Sequence, residues 1–145
     1  MELIVLGASG SYPAPGGGAC SGYLVRVGTT PLWMDCGNGT LANLQEHVTL
    51  DELTGVVVTH EHPDHCVDLY GLHVALTYGL HREGLPVFAP EGLAAKLETL
   101  VGTWGPCFDW HDVGGDGAAE VARLGDLGLR FSRTDHGPPT MAVEA

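Results

Sequence analysis

Basic residues are scarce in this chain: 6 Lys and Arg stand against 18 Asp and Glu, a formal charge of −12. Gripping a phosphate backbone draws on clustered Lys and Arg, so a large nucleic acid is not the expected partner, although bound cations can reverse the sign locally. Cysteine is sparse too. Cys20, Cys36, Cys66 and Cys107 lie far apart and form no C-x-x-C pair, unlike the dense frameworks of small disulfide-stapled secreted chains. No apolar run approaches the length that crosses a bilayer, so no membrane association is expected. The opening residues, Met1-Glu2-Leu3-Ile4-Val5-Leu6-Gly7, have neither the basic start nor the long apolar stretch of an export signal, which makes the cytoplasm the expected compartment. Internal repeats, low-complexity tracts and interdomain linkers are also missing, leaving 145 residues for one domain with its own core.

What is present is a 44% hydrophobic sequence with 22 glycines and a mean hydropathy of +0.11, the profile of a globular chain with many tight turns. Apolar, β-branched runs predict strands over 3–6, 23–27, 31–35, 55–59, 86–89, 127–133 and 140–144. Helical spacing predicts helices over 40–47, with Thr40 as N-cap, over 66–80 and over 92–101. Residues 7–18 and 102–117 are Gly- and Pro-rich and read as irregular. Strands interleave with helices throughout, so the class is α/β. The clearest strand is Gly55-Val56-Val57-Val58-Thr59, continuous and β-branched, as expected of a strand buried on both faces.

Directly after that strand comes His60-Glu61-His62-Pro63-Asp64-His65. His60 and His62 sit two apart, so an extended backbone projects them to one side, and Pro63 stiffens the turn that brings Asp64 and His65 round. Imidazole nitrogens with one carboxylate suit Zn, Fe, Ni or Mn. The plain alternative is a solvated loop with Asp64 capping a helix, but such a loop has no need of three histidines. His136, in the Gly/Pro-rich stretch between two predicted strands, is placed where a further ligand can be displayed. His47, His73, His81 and His111 have no motif around them and read as structural, and Cys66 reads as a small packed hydrophobe.

The run Thr59–His65 resembles the H-x-H-x-D-H signature of the metallo-β-lactamase superfamily. Gly7-Ala8-Ser9-Gly10-Ser11 with Cys20-Ser21-Gly22-Tyr23-Leu24 resembles the opening of its tRNase Z and cyclic-nucleotide phosphodiesterase branch. Leu32-Trp33-Met34-Asp35-Cys36-Gly37-Asn38-Gly39-Thr40 is similar to that branch's D-C-G-x-G-T segment, and Thr134-Asp135-His136-Gly137-Pro138-Pro139-Thr140 to its T-x-H-x-x-P-T segment. The likeness extends over nearly the whole chain. It implies an α/β fold, the αββα sandwich, with one αβ half plus the following strands present here. The single domain, 1–145, is then expected to be incomplete at its C-terminus, because the family's second half supplies a metal-bridging aspartate and a final histidine.

The resemblance also implies roles. His60, His62 and His136 would hold a first metal, Asp64 and His65 a second, and Asp64 would also orient the attacking hydroxide as a catalytic residue. Asp35 would hydrogen-bond a ligand histidine and fix its tautomer. Two divalent ions are expected in the complete fold, zinc first with manganese or iron as alternatives, and at least one in this chain. The implied function is a metal-dependent hydrolase, a phosphodiesterase using a metal-bound hydroxide. A small cyclic nucleotide is favoured over tRNA, because Pro63 stands where the tRNase Z branch usually has glycine and no long basic arm is present. Two alternatives stand beside it: a metal-binding but catalytically silent half-domain that works by assembly, and a tRNA 3′-processing endoribonuclease. The expected partners are a small phosphodiester substrate and either further copies of the chain, as a homo-oligomer, or a complementing second half.

Overall fold

Valines at 56, 57 and 58 have no polar side to offer, so their strand belongs inside a sheet covered on both faces. The computed structural model, which describes residues 1–16, 18–115, 120–135 and 137–145, places it there. Six strands form one sheet in sequence order: β1 (Glu2–Gly7), β2 (Gly22–Val27), β3 (Thr30–Met34), β4 (Gly55–Val57), β5 (Leu85–Pro90) and β6 (Phe108–Val113). The first three pair antiparallel, and β3 to β6 pair parallel. A second, antiparallel sheet contains β7 (Glu120–Leu124), β8 (Leu127–Arg133) and β9 (Met141–Glu144).

Side-chain alternation sorts the first sheet into two cores. Leu24, Trp33, Val56, Val58 and Val87 face the helices α1 (Thr40–Leu44), α3 (Leu69–Val74) and α4 (Leu93–Val101), meeting Leu44, Leu69, Leu72 and Leu93. Val25, Leu32, Val57 and Phe88 face the second sheet, meeting Leu127, Leu129, Phe131 and Met141, with the Phe88 and Phe131 rings stacked at 5.6 Å. The result is helices on sheet on sheet, the expected αβ half with following strands. Cover is incomplete at one edge. Leu3 pairs with Val25 and shares its face, yet Leu3 and Val5 remain 61% and 58% exposed. Among the described residues no helix is long and apolar enough to cross a membrane.

Several sequence-based expectations are corrected. Residues 108–113, read as irregular, form edge strand β6; its Asp109, His111 and Asp112 are exposed and obscured the alternation. Strand β7 was not anticipated. The helix expected over 66–80 is a single turn α2 (Pro63–Cys66), then α3, then a π-helical continuation Ala75–Leu80. Helix α1 ends at Leu44 rather than His47, and its N-cap is Gly39, at φ 90°, with Thr40 as first helical residue. The Thr40 hydroxyl donates back to the Gly37 carbonyl at 2.6 Å instead of capping. The cap comes from elsewhere: the Leu41 amide donates to Asp68 Oδ2 at 2.8 Å. Burial lifts the Asp68 carboxyl above its usual range, against the opposing pull of the Leu41, Gly39 and Thr40 amides. Asp68→Ala is expected to lower the unfolding free energy by about 1 kcal/mol, the usual loss of a cap, in urea titration. An unchanged midpoint would mean that water replaces this carboxylate without cost.

Candidate metal centre

The parallel strands β3 and β4 end side by side, and the segments leaving their C-terminal ends build the site. Asp35 leaves β3 with φ 57°, a left-handed conformation that aspartate tolerates better than most residues but that still stores strain. Its amide donates to the Val57 carbonyl at 2.8 Å, extending the ladder, while its carboxylate turns toward the end of β4. There it is 4% exposed and fully engaged. Oδ1 accepts from the Thr59 amide and hydroxyl, both at 2.9 Å, and Oδ2 lies 2.7 Å from His65 Nδ1.

His60, His62 and His65 stand close together. His60 and His62 ring centroids are 4.8 Å apart and those of His60 and His65 4.0 Å apart. His60 is buried at 8% exposure, with Nδ1 3.0 Å from the Thr59 hydroxyl, while His62 is exposed. His62, not Asp64, is the N-cap position of α2, and Pro63 occupies the first helical position, where its missing N–H costs nothing. His65 Nε2 lies 3.5 Å from Asp64 Oδ2, so a nitrogen and an oxygen donor converge. Burial alone would lower the His65 pKa, but the hydrogen bond and charge of Asp35, helped by Asp64, outweigh it and raise the value.

The loop after Asp35 supports this turn from below. The Cys36 amide donates to the His65 carbonyl at 2.6 Å, and the Asp68 amide donates to the Cys36 carbonyl at 2.9 Å. Gly37 is required by contact: a Cβ there would collide with the Asp64 carbonyl oxygen. Cys66 packs beneath, 2% exposed, its thiol donating to the His62 carbonyl at 3.3 Å. Burial, with the charges of Asp35, Asp64 and Glu61, pushes that thiol up to about 11. Cys20, Cys36 and Cys107 are raised by burial as well, so the donors for an ion are imidazole and carboxylate rather than thiolate. Native protein at pH 8 is accordingly expected to take up no iodoacetamide, and all 4 free cysteines to react after denaturation. Rapid native alkylation in the intact mass would contradict this.

Asp35, His60, His62, Asp64 and His65 are thus brought to one place, whereas His136 lies outside the described residues. Among the described residues no three His, Cys, Asp or Glu side chains already stand close enough to enclose an ion. The donor chemistry nonetheless suits a divalent metal, because His65 is anchored through Nδ1 and presents Nε2 beside a carboxylate. His73 is structural: it is buried, 3.2 Å from Cys107 Sγ and edge-on to Trp104. His111 stacks on Phe88, and His81 caps the π-helical segment in a left-handed conformation. Sequence reading missed the Thr59 hydroxyl, which bridges Asp35 and His60, and the Asp68 cap; neither belongs to a local pattern that marks it.

A mixed sheet backed by a second sheet, with a histidine run at the end of a buried strand, defines a class, and a family model described as a β-lactamase superfamily domain matches residues 31–142. The chain belongs to the metallo-β-lactamase superfamily. Its relatives include a ribonuclease Z of Natronomonas pharaonis, 30% identical over 138 residues, a match spanning 94% of this chain and 44% of that protein. Among solved structures, the metallo-β-lactamase fold protein YhfI from Bacillus subtilis superimposes with a TM-score of 0.82 at 28% identity, covering 97% of this chain and 55% of that one. The short form of human tRNase Z superimposes at 0.76 and 22% identity, covering 99% and 64%, a likeness of fold. The chain spans about half the length of the curated relatives it matches.

Proposed function

We propose that the chain carries part of the site of a metal-dependent phosphodiesterase. The observation that supports this most directly is the grouping of His60, His62 and His65, with His65 locked by Asp35 and facing Asp64. On this reading His60, His62 and His136 hold one divalent ion and Asp64 with His65 a second, zinc being favoured over manganese or iron. Bound there, such ions supply an acidified water and neutralise charge on phosphoryl oxygens. Asp35 would keep the His65 ring in one tautomer, and Asp64 would orient the attacking hydroxide. The charge of −12 supports a small phosphodiester, a cyclic nucleotide above all, over tRNA. The ribonuclease Z name of one relative supports tRNA 3′-processing as a second reading.

The exposed Leu3 and Val5 support a further part of the proposal: another polypeptide surface, a second copy or a complementing half, covers that face. A third reading is metal binding without turnover, in a half-domain that works by assembly. Metal analysis combined with hydrolysis of bis-p-nitrophenyl phosphate and native mass separates these. Bound metal with turnover in an assembled species supports the phosphodiesterase; one tightly held ion per chain and no turnover at high concentration leaves the silent half-domain. Turnover of pre-tRNA but not of a cyclic nucleotide would instead favour the processing nuclease.

A further inference from the structure

We propose that Lys96 is a positioning residue for the histidine run, gripping Glu61 and thereby the backbone that joins His60 to His62; this rests on the reading of that run as a metal site. Lys96 is the only lysine in the sequence, and its Nζ lies 2.6 Å from Glu61 Oε2. It projects from α4, which is a firmly tethered post. Leu93 is buried at 2% exposure, the Tyr70 hydroxyl donates to the Leu97 carbonyl at 2.9 Å, and the Trp104 indole donates to the Ala94 carbonyl at 3.0 Å. On the backbone side, the Cys66 thiol that donates to the His62 carbonyl at 3.3 Å also lies 3.6 Å from the Glu61 carbonyl oxygen. The residue between the two histidines thus meets α4 through its side chain and α2 through its backbone.

The physical effect is local. The lysine and glutamate side chains are 61% and 33% exposed, and a pair in that setting contributes little to global stability. Its geometric effect is larger, because Glu61 is bonded directly to both neighbours and any swing of its backbone changes the spacing of the His60 and His62 rings. Helix α4 thus sets the geometry of a site to which it contributes no ligand.

The test uses the whole chain as Lys96→Ala, Lys96→Arg and the exchange Glu61→Lys with Lys96→Glu. Zinc affinity is read by competition with a chelating dye, stability by urea, and ring geometry by histidine NMR on metal-free protein. Lys96→Ala is expected to weaken zinc binding by roughly fivefold with an unchanged urea midpoint, while arginine and the exchange restore it to within about twofold. Unaltered zinc affinity in Lys96→Ala, or a loss that neither rescue variant repairs, overturns the proposal. If the wild-type chain takes up no zinc, the metal-site reading fails, and the NMR decides on Lys96 separately. The His60 and His62 resonances must then move in Lys96→Ala and return in Lys96→Arg, and unmoved resonances overturn it.

Discussion

His62→Ala is expected to reduce metal affinity by more than about a hundredfold while leaving the fold intact. His62 is the cleanest of the proposed ligands to remove because it is exposed, and exposed substitutions rarely shift stability beyond about 0.5 kcal/mol. His60 is less suitable, since it is 8% exposed and its ring lies against both other histidines, so its loss also disturbs packing. The measurement is metal content after dialysis against a defined zinc buffer, with circular dichroism to show that the fold persists. Turnover of a phosphodiester, where the wild type has it, should vanish in the same variant. Metal content equal to that of the wild type would sink the assignment of the run as a metal site.

Asp35→Asn should have the next largest effect, with a pH signature. Asparagine tolerates the left-handed backbone at φ 57°, so the substitution changes the carboxylate without adding strain. It offers one acceptor oxygen where Asp35 uses two, accepting from Thr59 on one and facing His65 on the other. Metal affinity at alkaline pH is expected to fall about tenfold, as when an orienting partner of a ligand histidine is lost. In the metal-free wild type, His65 is raised in the folded state against the opposing effect of burial, mainly by Asp35. The stabilisation from that pair is therefore fully present below the unfolded histidine value of about 6.5 and is lost as pH rises through the folded value. The same raised value means that protons compete with metal at His65 to higher pH than at an ordinary histidine. In Asp35→Asn burial prevails, His65 titrates lower, and both the pH-dependent stability and the proton competition move to lower pH. Urea midpoints and zinc titrations from pH 6 to 9 test this; profiles identical in shape to the wild type would refute the role of Asp35.

Much of the fold was legible because its central signals are local. Val56, Val57 and Val58 announce a strand buried on both faces, and the structure divides them between the two cores. Strand β6 was not legible, because exposed Asp109, His111 and Asp112 hide the alternation of an edge strand. The breaks in the helix expected over 66–80 were equally hidden, since its apolar residues keep near-helical spacing through a turn and a π-helical stretch alike.

By itself the sequence determined the α/β class, the superfamily, and the place of the histidine run at the end of a buried strand, because backbone pattern and motif are properties of consecutive residues. Only the tertiary structure decided that Asp35 reaches His65 across 30 positions, that Asp68 caps a helix 27 residues before it, and that Lys96 grips Glu61 from another helix. Those contacts join residues brought together by sheet register and helix packing. No local periodicity encodes them, and the orientation of the donor groups depends on them.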